Sequence, residues 1–159
     1  MSSLIVQTSI DDFARRFWPD PALAPNEWII VFKVASRLRF NDFMMRAMEQ
    51  LEYSEGMIGF PRMICGILAN SPQWLLKGAC ELSVRPAALD LEESKVLGME
   101  LSVKINDARN YWHLHEYRGK HDYSVGTPPK KSLQKYVQRL LNVDDGQIWS
   151  RKQYIIKYF

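Results

Sequence analysis

Apolar residues recur along this chain in two rhythms, one of period two and one of period three to four. Between residues 27 and 39, Trp28, Ile30, Phe32, Val34 and Leu38 alternate with Lys33, Arg37 and Arg39, which predicts a strand. Over about 42–53 the spacing changes: Phe43, Met44, Ala47, Met48 and Leu51 make a helical stripe that Asn41 or Asp42 can cap. Gly56 to Pro61 is a turn into a second, apolar helix that runs from 61 to about 69 and stops at Asn70-Ser71-Pro72, and Gly66 inside it points to close packing against a neighbour. Two strands are predicted at about 74–84 and 96–105. In the second, Leu97, Met99, Leu101, Val103 and Ile105 alternate with Gly98, Glu100, Ser102 and Lys104.

A further strand is expected at 110–117, then a turn-rich loop from Gly119 to Pro129. A helix at 130–142 follows, with Lys130, Lys131, Lys135 and Arg139 on one side and Leu133, Val137, Leu140 and Leu141 on the other. Asp144-Asp145-Gly146 turns the chain into a last strand at 147–158. Residues 1–26, interrupted by Pro19, Pro21 and Pro25, form an irregular arm. The expectation is a single α+β domain over 27–159, a twisted antiparallel sheet packed against two or three helices. With 159 residues, 47% of them apolar, such a domain can bury a core without disulfides or metals.

Charge adds a division that hydropathy does not show. Residues 1–103 carry 10 Lys/Arg against 13 Asp/Glu, whereas residues 104–159 carry 11 against 5. A basic C-terminal third fits phosphate-rich partners, membrane surfaces or acidic proteins, and it also fits a solvated face that keeps the protein soluble. Cys65 and Cys80 sit in apolar runs without a CxxC pair, which suits a reducing compartment. No secretory leader and no stretch of about 20 apolar residues is visible, so a cytosolic protein is expected, with any membrane contact weak and peripheral.

Candidate chemistry is sparse. His113, His115 and His121 lie close in sequence, and on a strand His113 and His115 would share a face. They are weak metal candidates, because no second His or Cys cluster supplies the remaining ligands. No phosphate-binding loop, dinucleotide fingerprint or nucleophile motif occurs, and Cys65 has no identifiable base. The expectation is a non-enzymatic protein without cofactors. Its candidate contacts are the apolar loop around Ala88, Leu89 and Leu91 and the basic surface of Lys130, Lys131, Lys135 and Arg139. Sequence-specific nucleic-acid binding is not expected, since no recognised module is present.

The order of these elements resembles the folded core of rhabdovirus matrix proteins. The run Gly56-Met57-Ile58-Gly59-Phe60-Pro61-Arg62-Met63-Ile64-Cys65-Gly66-Ile67-Leu68-Ala69-Asn70-Ser71-Pro72 is similar to that family's turn and apolar helix. Residues 97–105 look like its sheet strand, and Trp149, Ile155-Ile156 and Tyr158-Phe159 like its close. The likeness covers about 27–159. It implies a small matrix-like accessory protein of a rhabdovirus that contacts host or viral proteins and associates with itself. Such a protein would act on host transcription or innate immune signalling, or in virion assembly, in the host cytoplasm or nucleus. The alternative it implies is a true short matrix protein at the inner face of the virion, binding membrane and nucleocapsid. The departures are an N-terminal arm without Lys and the absence of PPxY, PTAP and PSAP. A His-dependent hydrolase or metal protein is the third reading.

Overall fold

The computed structural model describes residues 23–121, 130–142 and 147–158, and every regular element among them is helical. No strand occurs among the described residues, so the expected α+β sheet is replaced by an all-α architecture. The chain divides into two compact units, Met1–Ser54 and Glu55–Phe159. Of the expected irregular arm over 1–26, residues 1–22 lie outside the described residues and Pro25-Asn26 already belong to a helix. Of the expected loop from Gly119 to Pro129, residues 119–121 are helical and 122–129 lie outside the described residues, as do 143–146.

The first unit holds α1 (Pro25–Leu38) packed on α2 (Asn41–Leu51). Pro25 begins α1 where its missing N–H costs nothing, and the Glu27 carboxylate accepts the Ala24 N–H at 2.7 Å. Arg39 closes the helix in the left-handed region at φ 60°. The predicted strand at 27–39 fails here for a definable reason. Its alternating positions are two helical series interleaved: Trp28, Phe32 and Ser36 are buried, while Ile30, Val34 and Leu38, each four residues from the next, are exposed. In α2 the predicted stripe holds, with Met44, Ala47, Met48 and Leu51 buried, although Phe40 rather than Asn41 or Asp42 takes the capping position.

The second unit begins with a 3-10 turn at Glu55–Met57 and continues through α3 (Phe60–Leu68) and α4 (Pro72–Val84). It is completed by α5 (Leu91–Leu97), α6 (Met99–His121), α7 (Lys130–Leu141), α8 (Gln147–Ser150) and α9 (Lys152–Tyr158). The predicted strand at 74–84 is α4. Ser71 accepts the Trp74 N–H, Pro72 opens the helix, and Trp74, Leu75, Gly78, Ala79, Leu82 and Ser83 are buried at helical spacing. The predicted strand at 96–105 repeats the ambiguity of 27–39: Leu97, Leu101 and Ile105 are buried, Met99 and Val103 exposed. Asp90 and Glu93 form a reciprocal capping box on α5, and Gly98, at φ 81°, separates α5 from α6 without a loop. The predicted strand at 110–117 lies inside α6, and that at 147–158 is α8 and α9.

α4 is the hub of this unit, packing on α3, α6 and α7, while α9 lies on α3 and α5. The α3–α4 crossing is built on two glycines. A Cβ on Gly66 would stand 2.4 Å from the Leu75 backbone nitrogen, and one on Gly78 would stand 2.5 Å from that of Met63. The close packing expected of Gly66 is therefore present and is reciprocated from the other helix. Glu81 of α4 then reaches the start of α3, where its carboxylate accepts the Gly59 N–H at 2.7 Å and pairs with the buried Arg62 at 3.1 Å; the Arg62 guanidinium lies 5.0 Å from the Trp74 ring centroid. A carboxylate at a helix N-terminus is favourable to the helix dipole.

Gly66→Ala and Gly78→Ala each raise intrinsic helix propensity by about 1 kcal/mol. Both are expected nevertheless to destabilise the fold, by about 1–3 kcal/mol, because the contact is with backbone that cannot yield locally. Thermal denaturation of the two variants checks this, and a raised Tm in either would contradict the packing described.

Candidate docking surfaces

The connection between α4 and α5 is Arg85-Pro86-Ala87-Ala88-Leu89-Asp90, and it carries an unusual density of side-chain hydrogen bonds. Arg85 donates through Nε to the Ala87 carbonyl at 3.1 Å and through Nη2 to the Ala88 carbonyl at 2.9 Å. The same guanidinium makes a two-point pair with Glu93, at 2.8 and 2.6 Å. Arg109, from α6, donates to the carbonyls of Arg85 and Pro86. Glu93 also accepts the Asp90 N–H at 3.0 Å, while Asp90 accepts the Glu93 N–H at 2.7 Å. Four consecutive carbonyls, 85 to 88, thus find arginine donors.

What this scaffold displays is apolar. Pro86, Ala87 and Ala88 are exposed, Leu91 is 70% exposed, and Leu89 is half-buried. Of the loop residues expected to make apolar contact, Ala88 and Leu91 face solvent, whereas Leu89 packs partly back on the protein. The sequence reading missed Arg85, Glu93 and Arg109. Only the Asp90-x-x-Glu93 spacing could have signalled part of the network.

The basic residues fall as expected on one helix. In α7, Leu133, Val137 and Leu141 are buried, and Lys131, Lys135 and Arg139 are exposed on the opposite side. The Lys130 side chain lies outside the described residues. Tyr136 of α7 stacks on Tyr111 of α6, ring centroids 4.1 Å apart and planes within 9°, and His115 tilts against Tyr111 at 4.2 Å.

The histidines do not form the face expected of them. Their shared orientation depended on a strand. On α6, two residues apart, His113 and His115 point about 200° apart around the axis. The His121 side chain lies outside the described residues. Among the described residues no group of three His, Cys, Asp or Glu side chains is placed to hold a metal ion. Burial, with Glu81 beside it, pushes the Cys80 thiol up to about 11, which leaves it protonated and a weak nucleophile at neutral pH. A cavity of about 300 Å³ opens where α5 meets α6, lined by Gly98, Glu100, Ile148, Ser150 and Arg151 among others. Arg151 donates there to the Val96 carbonyl at 3.1 Å, as a basic cap on the C-terminus of α5. No helix of the described residues is long and apolar enough to cross a membrane.

The hydrogen bonds from Arg85, and next the Asp90 N–H, hold the Glu93 carboxyl below the usual carboxylate range against the opposing effect of burial. A carboxylate lowered in the folded state contributes stability above its unfolded pKa of about 4.3, and that stability is lost as pH falls through the folded value. Arg85→Met is expected to flatten the acid limb of a Tm-against-pH profile, and acid limbs that stay parallel to the parent's would contradict the assignment. Compared with known proteins, the chain matches no protein-family model, no curated protein and no solved structure.

Proposed function

We propose that this chain is a non-enzymatic interaction module that docks on a protein partner through the loop between α4 and α5. One observation carries the reading: an exposed apolar loop is immobilised by two arginines and a capping box. Association costs roughly 0.5–1.5 kcal/mol for each rotamer-rich side chain it immobilises, and more for loop ordering, so a loop fixed in advance avoids part of that cost. Leu91 is the exposed anchor, suited to an apolar socket, and Ala88 and Ala87 allow close approach around it. Arg85 is a positioning residue, holding the loop from beneath. The resemblance to matrix cores rested on the run Gly56–Pro72 and on an element order that included strands; the described residues contain no strand, and this proposal names no virus.

The test is site-specific photo-crosslinking from position 91, with the exposed positions 49 and 106 as controls, followed by titration of the purified captured protein. Capture of one species from position 91 alone is expected. Leu91→Asp is expected to weaken that pair about tenfold or more, the effect of losing a central anchor. Its stability should stay within about 0.5 kcal/mol of the parent, as for an ordinary surface position. Equal crosslinking from all three positions, or unchanged affinity in Leu91→Asp, would overturn the proposal.

A further inference from the structure

The cationic face of α7 presents a different chemistry from the loop. Lys131, Lys135 and Arg139 recur every four residues, so they rise along the helix in steps of about 6 Å over about 12 Å. The buried trio Leu133, Val137 and Leu141 fixes the rotation of the helix, and the Tyr136–Tyr111 stack joins its flank to α6. α7 contains no acidic residue. Among the described residues none of these three cations makes an ion pair, in contrast to Lys95 with Glu92 and Lys104 with Glu100, which are neutralised on their own helices at 2.7 Å.

The side chains around the cations narrow the partner. Ser132 and Gln138 fall on the same side as Lys131, Lys135 and Arg139, so this face is made of hydrogen-bond donors. It lacks an apolar or aromatic centre of the kind that anchors a protein interface, and it has no apolar side chain to enter a bilayer. Lys, Arg, Ser and Gln are the side chains that contact phosphate oxygens. We infer that this face of α7 binds the sugar–phosphate backbone of a nucleic acid without reading its sequence. The inference is independent of the docking loop, which lies on other elements.

The experiment is fluorescence anisotropy of the full chain with labelled 20-nucleotide single strands and a 20-base-pair duplex, across a range of salt. With three neutralised phosphates, the logarithm of the binding constant is expected to fall with the logarithm of salt at a slope of about −2.7 on duplex or about −2 on single strands, and the two arms identify the form preferred. The triple variant Lys131→Gln, Lys135→Gln, Arg139→Gln is expected to lose at least tenfold in affinity at low salt, and most of the slope, with an unchanged Tm. A charge-matched control, Arg37→Gln, Arg39→Gln, Lys95→Gln, is expected to bind like the parent. Any of three results overturns the inference: no binding of either nucleic acid at low salt, equal losses in the triple variant and its control, or binding to phosphatidylserine vesicles through these residues with none to nucleic acid.

Discussion

The second unit depends on one contact, the approach of the α3 and α4 backbones across Gly66 and Gly78. A side chain at either position would occupy space already held by peptide atoms of the opposite helix. Because that distance is short, Glu81 arrives at the first turn of α3, where one carboxylate accepts the Gly59 N–H and pairs with Arg62. Arg62 is only 3% exposed, and a buried cation without its counter-charge is costly. The pair therefore acts as a registration device: α4 can lie on α3 in the arrangement that satisfies it, and slippage along the seam would strand the charge. With α4 so placed, its remaining surface receives α6 and α7.

Parts of this were legible in the amino-acid order and parts were not, for physical reasons. α2 and α7 each carry a single apolar stripe, and α3 is a continuous apolar run bounded by Gly59-Phe60-Pro61 and Asn70-Ser71-Pro72, so element type and boundaries agreed with the fold to within a residue or two. α1 and the α5–α6 region carry two stripes two positions apart, one buried and one exposed. Their sum, as at Leu97, Met99, Leu101, Val103 and Ile105, has the alternation of a strand. What separates the two cases is the ends of the segment. Pro25 with Glu27, and Asp90 with Glu93, are helix starts, and strand pairing has no use for them. The face shared by Lys131, Lys135 and Arg139 was readable because it needs only a helix. The paired orientation of His113 and His115 was misread because it needed a strand. The Arg85–Glu93–Arg109 network joins positions up to 24 residues apart, and no local spacing encodes a bond of that kind.

The two candidate surfaces solve opposite problems. At the loop, polar groups work inward, consuming carbonyls so that an apolar edge can be held outward. On α7, apolar groups work inward, and donors are left outward with their charges unspent. In each case the inward set is what gives the outward set a defined position. An exposed leucine or lysine on a fixed frame loses less freedom on binding than one on a wandering segment.

The C-terminal helices close the unit over a long span of chain. Ile148 and Ile155 are buried, α9 lies on α3, and Arg151 reaches the Val96 carbonyl 55 residues earlier. The α3–α4 seam, by contrast, joins neighbours in sequence. Loop-closure entropy makes the local seam the earlier event in folding and the clasp the later one. In the native state the order reverses. Segments that pack on few neighbours open at lower free energy than the core they pack on. Protection of the backbone amides is therefore graded from α4, which packs on three helices, outward to the helices with fewer partners.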